Sequence, residues 1–69
     1  MTGSVKSLVL EKGFGFLKPD DGDEDVFFHA NQLRGGLEFS ERLREQYVTF
    51  DVIRNDRGLK AMNVMPARM

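Results

Sequence analysis

The stretch that decides the fold is residues 12–18, which read Lys12-Gly13-Phe14-Gly15-Phe16-Leu17-Lys18. Side chains alternate between the two faces of a β-strand. A strand here therefore places both phenylalanines and both lysines on one face, and the glycines and Leu17 on the other. Lysine is almost never fully buried without a partner, so the pattern predicts that the phenylalanine face is exposed to solvent.

A second segment, residues 25–30, repeats this arrangement. Asp25, Phe27 and His29 share one face of the predicted strand, opposite Val26 and Phe28. Exposed aromatic side chains on adjacent strands usually mark a binding surface. Unpaired nucleic-acid bases stack on such rings and lysines contact phosphates, whereas a double helix hides its base faces. The two segments together predict a site for single-stranded nucleic acid.

The rest of the chain consists of short segments rich in Val, Phe and Leu that are separated by Gly, Asp and Asn, which is typical of an all-β domain. Strands are predicted at Ser4–Leu10, Gly13–Lys18, Asp25–Ala30, Tyr47–Arg54 and Gly58–Met65. Strands this short leave exposed edges unless the sheet closes, which predicts a partly open, five-stranded antiparallel barrel forming one domain over residues 1–69. A short helical segment is expected over residues 40–46, with Ser40 as its N-cap.

The composition favours a binding protein over an enzyme. The 69 residues include no cysteine and one histidine, and the formal net charge is −1. His29 and Asp25 are four residues apart on one strand, about 13 Å, which is too far for a hydrogen-bonded catalytic pair. We therefore expect no catalytic residues, no cofactor and no metal. Because no apolar segment is long enough to span a bilayer and Met1–Ser4 lacks signal-peptide features, we expect a cytoplasmic protein.

Acidic residues are concentrated in residues 20–25, and we interpret this run as a solvated turn that follows Pro19. The alternation of Asp21, Asp23 and Asp25 suggests a calcium loop. Such a loop also needs a glycine at its sixth position and a glutamate at its twelfth, and this sequence has neither. We therefore reject a calcium site.

The aromatic segments resemble the pair of ribonucleoprotein motifs of the cold-shock domain. The resemblance extends to Gly3-x-Val5-Lys6 in the opening strand, to the turn at residues 19–22 and to Arg57-Gly58-x-x-Ala61-x-Asn63-Val64 in the closing strand. It thus covers nearly the whole chain. It implies a five-stranded barrel of the oligonucleotide-binding (OB) type that binds single-stranded RNA and DNA with little sequence demand. Members of this family act as RNA chaperones and transcription antiterminators.

The resemblance also implies roles for individual residues. The implied nucleic-acid-binding residues are Lys6, Lys12, Phe14, Phe16, Asp25, Phe27 and His29, together with Phe39, which matches an aromatic residue of a family loop. The implied barrel core consists of Val5, Leu17, Val26, Phe28, Val48, Phe50, Val52 and Val64.

Two departures from the family pattern predict weak binding. Ser7-Leu8-Val9 stands where the family usually has Trp-Phe-Asn, and Ala30 stands where it usually has Phe. At least two stacking rings are therefore missing. We expect lower affinity than in a family member with the full aromatic set.

The apolar run Leu8-Val9-Leu10 leaves a second hypothesis open. In this alternative the chain is a protein-interaction or self-associating module of cold-shock fold with weakened nucleic-acid binding. Alternation can bury Val9 alongside Val5, but it cannot also bury Leu8 and Leu10 unless the strand carries a bulge. A bulge would redirect only part of the run, so we expect at least one large side chain to remain exposed. The expected partner remains single-stranded RNA or DNA. We expect a monomer or weak dimer, with neither a membrane nor a small-molecule substrate as partner.

Overall fold

The computed structural model describes residues 1–22 and 24–67, so Asp23 of the acidic run lies outside the described residues. The strands are β1 (Thr2–Val9), β2 (Phe14–Pro19), β3 (Val26–His29), β4 (Tyr47–Asn55) and β5 (Gly58–Pro66). Each predicted strand is confirmed, with bounds that differ by at most two residues.

The strands form a closed barrel in the order β1-β2-β3-β5-β4, since β4 pairs with β1. All pairs are antiparallel except β3 and β5, which run parallel through Val26–Leu59 and Phe27–Lys60. The predicted all-β, five-stranded fold is confirmed, but the sheet is mixed rather than wholly antiparallel and closed rather than partly open. An odd number of strands cannot alternate in direction all the way around a closed sheet, so closure of five strands requires a parallel pair.

The inner face of the barrel forms the core, and the predicted alternation is confirmed. Leu17, Val26 and Phe28 are fully buried, whereas their neighbours in sequence point outward. Val52 is only half-buried, although the resemblance implied a core position. The buried hydrophobic core also includes Leu8, Leu43 and Ala61, which were not among the implied core residues.

A bulge at Lys6 changes which side chains of the apolar run Leu8-Val9-Leu10 point toward the core. Val5 pairs with Leu17, but Ser7 pairs with Phe16, so Lys6 is an extra residue on β1. An extra residue reverses the alternation beyond it. Leu8 is therefore buried, and Val9 is not, so the expectation that Val9 packs beside Val5 is wrong.

Residues 30–46 connect β3 to β4 through two short 3₁₀ segments, Ala30–Gln32 and Glu41–Glu45. The second segment confirms the predicted helical turn, and Leu43 anchors it in the core. Ser40 lies at the N-cap position, but its side chain makes no capping hydrogen bond, contrary to expectation. Neither segment, nor any other helix in the described part of the chain, has the length and apolarity needed to cross a membrane.

Candidate nucleic-acid interface

Three phenylalanine rings lie together on the outer surface of β2 and β3. The ring centroids of Phe14 and Phe27 are 5.4 Å apart, those of Phe16 and Phe27 5.9 Å, and those of Phe14 and Phe16 6.2 Å. All three rings are half-buried, because each covers part of its neighbours while the outer surface stays open. We call these three side chains the aromatic triad.

The register of β2 and β3 assembles the triad. Phe16 pairs with Phe27 and Phe14 pairs with His29, so the outward side chains of the two strands are directly opposite each other. Gly15 allows β1 to lie close to β2, because a Cβ atom at this position would be 2.6 Å from the carbonyl oxygen of Ser7. The register therefore brings together four of the residues predicted to share the exposed face, namely Phe14, Phe16, Phe27 and His29.

His29 lies at the end of the triad and is exposed. Its Nδ1 accepts a hydrogen bond of 3.3 Å from the backbone N–H of Asn31, and so caps the first 3₁₀ segment. A neutral imidazole that accepts through Nδ1 carries its proton on Nε2. The side chain thus has one hydrogen-bond donor available to a ligand.

The predicted cationic residues differ in their surroundings. Lys12 and Lys18 are exposed at the two ends of the Phe14–Phe16 segment. Lys6 is instead paired with Asp25, with 2.9 Å between its Nζ and a carboxylate oxygen. Lys6 and Asp25 are therefore both outside the core, but they contact each other.

A groove of about 400 Å³ continues the aromatic surface beyond β3. It is lined by Phe16, Phe27, Asn55, Arg57, Leu59 and Lys60. Lys60 reaches the triad because it pairs with Phe27 across the parallel β3–β5 contact. Sequence reasoning predicted Phe16 and Phe27 but missed the other four groove residues, because no local signal predicts which strand lies beside β3.

Phe39 is not part of this surface. Its ring packs against Phe28 of the core, with 6.2 Å between the centroids, and is partly buried there. Residues 33–46 cover part of the barrel, and the apolar side chains of this connection turn toward the interior. Phe39 therefore packs on the core rather than on the triad, and its implied role in binding stays a prediction.

The structure shows where Ser7 and Ala30, the two positions that lack the usual aromatic ring of the family, lie relative to the triad. Ser7 pairs with Phe16 and Val9 pairs with Phe14, so both lie on the outer side of β1 beside the triad. Ala30 follows His29 and begins the first 3₁₀ segment. Ser7 thus leaves the β1 side of Phe16 without an aromatic neighbour.

A five-stranded barrel with outward aromatic rings and nearby cations defines a small OB-like β-protein. Residues 1–67 match the model of the "Cold-shock" DNA-binding domain. The chain belongs to this cold-shock domain family, which confirms the resemblance seen in the sequence.

Several cold-shock proteins are similar to this chain over most of its length. Cold shock-like protein CspG of Escherichia coli strain K12 is 43% identical over 65 residues, covering 94% of this chain and 91% of its own. Cold shock protein ScoF of Streptomyces coelicolor is 39% identical over 66 residues, covering 96% and 97%. Cold shock protein CspA of Rhizobium meliloti is 41% identical over 61 residues, covering 87% and 86%.

A solved structure described as drosophila Unr CSD456 has a similar fold, with a TM-score of 0.76 and 26% sequence identity. The match covers 97% of this chain but 26% of the drosophila chain. The present chain therefore spans about a quarter of the length of that drosophila chain.

Proposed function

We propose that the protein binds single-stranded RNA or DNA by stacking bases on the aromatic triad. The observation that carries this proposal is the contact of three outward-facing rings on adjacent strands. Stacking on a ring is sequence-tolerant, because every base has a π-face. His29 supplies a hydrogen-bond donor at one end of the triad. Lys12 and Lys18 are exposed at the two ends of the Phe14–Phe16 segment, where they can contact phosphates of the bound nucleic acid.

The groove extends the proposed path of the nucleic acid toward β5. Arg57 and Lys60 place two cations beside Phe16 and Phe27, where phosphates that follow the stacked bases would pass. Leu59 contributes an apolar wall, against which a base or sugar packs. Phe39 contacts the core ring of Phe28 and is only partly buried, so its implied part in binding stays a separate prediction.

A protein that binds unpaired strands stabilises them relative to their paired forms by mass action. Membership of the cold-shock domain family and the sequence tolerance of stacking support a role as an RNA chaperone with antiterminator-like activity. The proposal includes a cytoplasmic location and no catalytic step.

Replacing Phe27 by alanine tests the stacking proposal, because Phe27 is the ring that contacts both others across strands. We expect a loss of about 1–3 kcal/mol of binding free energy, or about 5- to 140-fold in Kd. The measurement is fluorescence anisotropy with a labelled single-stranded oligonucleotide. Tyr47→Ala is the matched control, since Tyr47 is an aromatic residue 43% exposed on β4, outside the triad. Equal losses in both variants would contradict a site at the triad.

Salt dependence tests the proposed phosphate contacts. Four cations, Lys12, Lys18, Arg57 and Lys60, lie along the proposed path. Each phosphate that a cation neutralises contributes about −0.7 to the slope of a plot of the logarithm of the association constant against the logarithm of salt concentration. Four cations should therefore give a slope of about −3. A slope steeper than about −5 would require a basic surface other than this one. A slope near zero would show that these cations make no phosphate contacts.

The interaction-module alternative depended on a continuous apolar surface at Leu8-Val9-Leu10. The bulge divides this run, because Leu8 is buried, Val9 lies half-buried beside the triad and Leu10 is 40% exposed. The run therefore offers a single exposed leucine, and no observation on it favours the alternative over nucleic-acid binding.

A further inference from the structure

The Lys6–Asp25 ion pair crosses the central strand of the candidate interface. Lys6 lies on β1, and Asp25 immediately precedes β3, while β2 pairs with both strands and lies between them. The bulge at Lys6 turns its side chain to the outer surface. The aliphatic part of Lys6 must therefore pass over β2 to bring its ammonium within 2.9 Å of the carboxylate.

This pairing changes what both groups offer to a nucleic acid. The ammonium of Lys6 already has an anionic partner, so a phosphate that binds it must displace the carboxylate or share the ammonium with it. The carboxylate itself repels any phosphate placed nearby. Asp25 is also two residues from Phe27, so this repulsion acts at the edge of the triad.

We propose that Asp25 is an internal counterion that competes with nucleic-acid phosphate for Lys6, and thereby limits affinity at this edge of the interface. The inference rests on the proposed function. It gives Asp25 a role opposite to the one implied by the resemblance, in which Asp25 contacts the nucleic acid and contributes to binding. The two roles predict opposite effects of removing the carboxylate.

The pair is accessible enough for such competition. The side chains of Lys6 and Asp25 are 54% and 39% exposed, so water and ions reach both. Exposed ion pairs contribute little to stability, and a phosphate can therefore replace the carboxylate without disturbing the fold. The competition affects the charged edge, while base stacking on the triad continues.

The test compares Asp25→Asn with Asp21→Asn. Both substitutions remove one negative charge from the same acidic segment, but Asp21 has no ion-pair or hydrogen-bond partner among residues 1–22 and 24–67. We expect Asp25→Asn to bind a labelled single-stranded oligonucleotide about 2- to 5-fold more tightly at low salt than Asp21→Asn. The salt slope should also become steeper by about 0.7, because Lys6 gains a phosphate contact.

A double variant, Lys6→Gln with Asp25→Asn, identifies the cation responsible. Its salt slope should be no steeper than that of the wild type, because the released ammonium is absent. If the wild type binds and Asp25→Asn binds no better than Asp21→Asn, the counterion role is overturned and the proposed function stands. If neither the wild type nor any variant binds, the proposed function fails and the counterion role fails with it.

Discussion

Replacing Phe28 by alanine is expected to lower the free energy of unfolding by about 3–5 kcal/mol, measured by urea denaturation. Phe28 is fully buried, and its ring contacts Phe39 where the connection to β4 covers the core. Removing the ring loses its transfer free energy and leaves a cavity that the surrounding strands fill only partly. Because the strands are hydrogen-bonded around a closed barrel, they can move only a little to fill the cavity.

The control is Phe16→Ala, which removes the same side chain from the neighbouring strand. Phe16 is half-buried on the outer surface, so its removal leaves a solvent-filled gap rather than a cavity. We expect this variant to lose less than about 2 kcal/mol of stability, mostly from its contacts with the other two rings. Equal destabilisation by the two substitutions would show that the assignment of inner and outer faces is incorrect.

Restoring the missing rings is expected to strengthen binding by a larger factor than any single substitution weakens it. Each stacking ring contributes about 1–3 kcal/mol, so Ser7→Trp combined with Ala30→Phe should lower Kd by about one to four powers of ten. Ser7 is the better-placed of the two, because it pairs with Phe16 on the outer side of β1. A tryptophan there lies directly beside the triad.

Two single variants and one control show which position is responsible for the gain in affinity. Ser7→Trp and Ala30→Phe, titrated separately with the same oligonucleotide, show which position contributes. Gln46→Trp adds an exposed aromatic residue beside the second 3₁₀ segment, away from the triad, and should leave Kd unchanged. If the double variant binds no better than the wild type, then positions 7 and 30 lie outside the path of the nucleic acid.

The sequence predicted the triad correctly because its members come from two strands with clear alternation. Lysine at both ends of residues 12–18 was enough to identify the outer face, and the structure places Phe14, Phe16 and Phe27 in contact. Their role in binding remains a prediction. The prediction for Phe39 relied on the resemblance alone; its ring packs against Phe28 of the core, and its role in binding also remains a prediction.

By itself, the sequence determined the strands, the inner and outer faces of β2 and β3, and the family. These features follow from local alternation and from motifs of a few residues. Such signals do not depend on where the rest of the chain lies. The helical turn before β4 was also predictable, because helix propensity acts over short distances.

Only the tertiary structure decided the bulge at Lys6, the parallel contact between β3 and β5, and the groove that brings Lys60 beside Phe27. A bulge arises from the register between two strands, and alternation within one strand does not reveal it. The parallel pair arises because five strands close into a ring. The ion pair between Lys6 and Asp25 likewise depends on both strands lying beside β2, so it could be found only after the barrel was assembled.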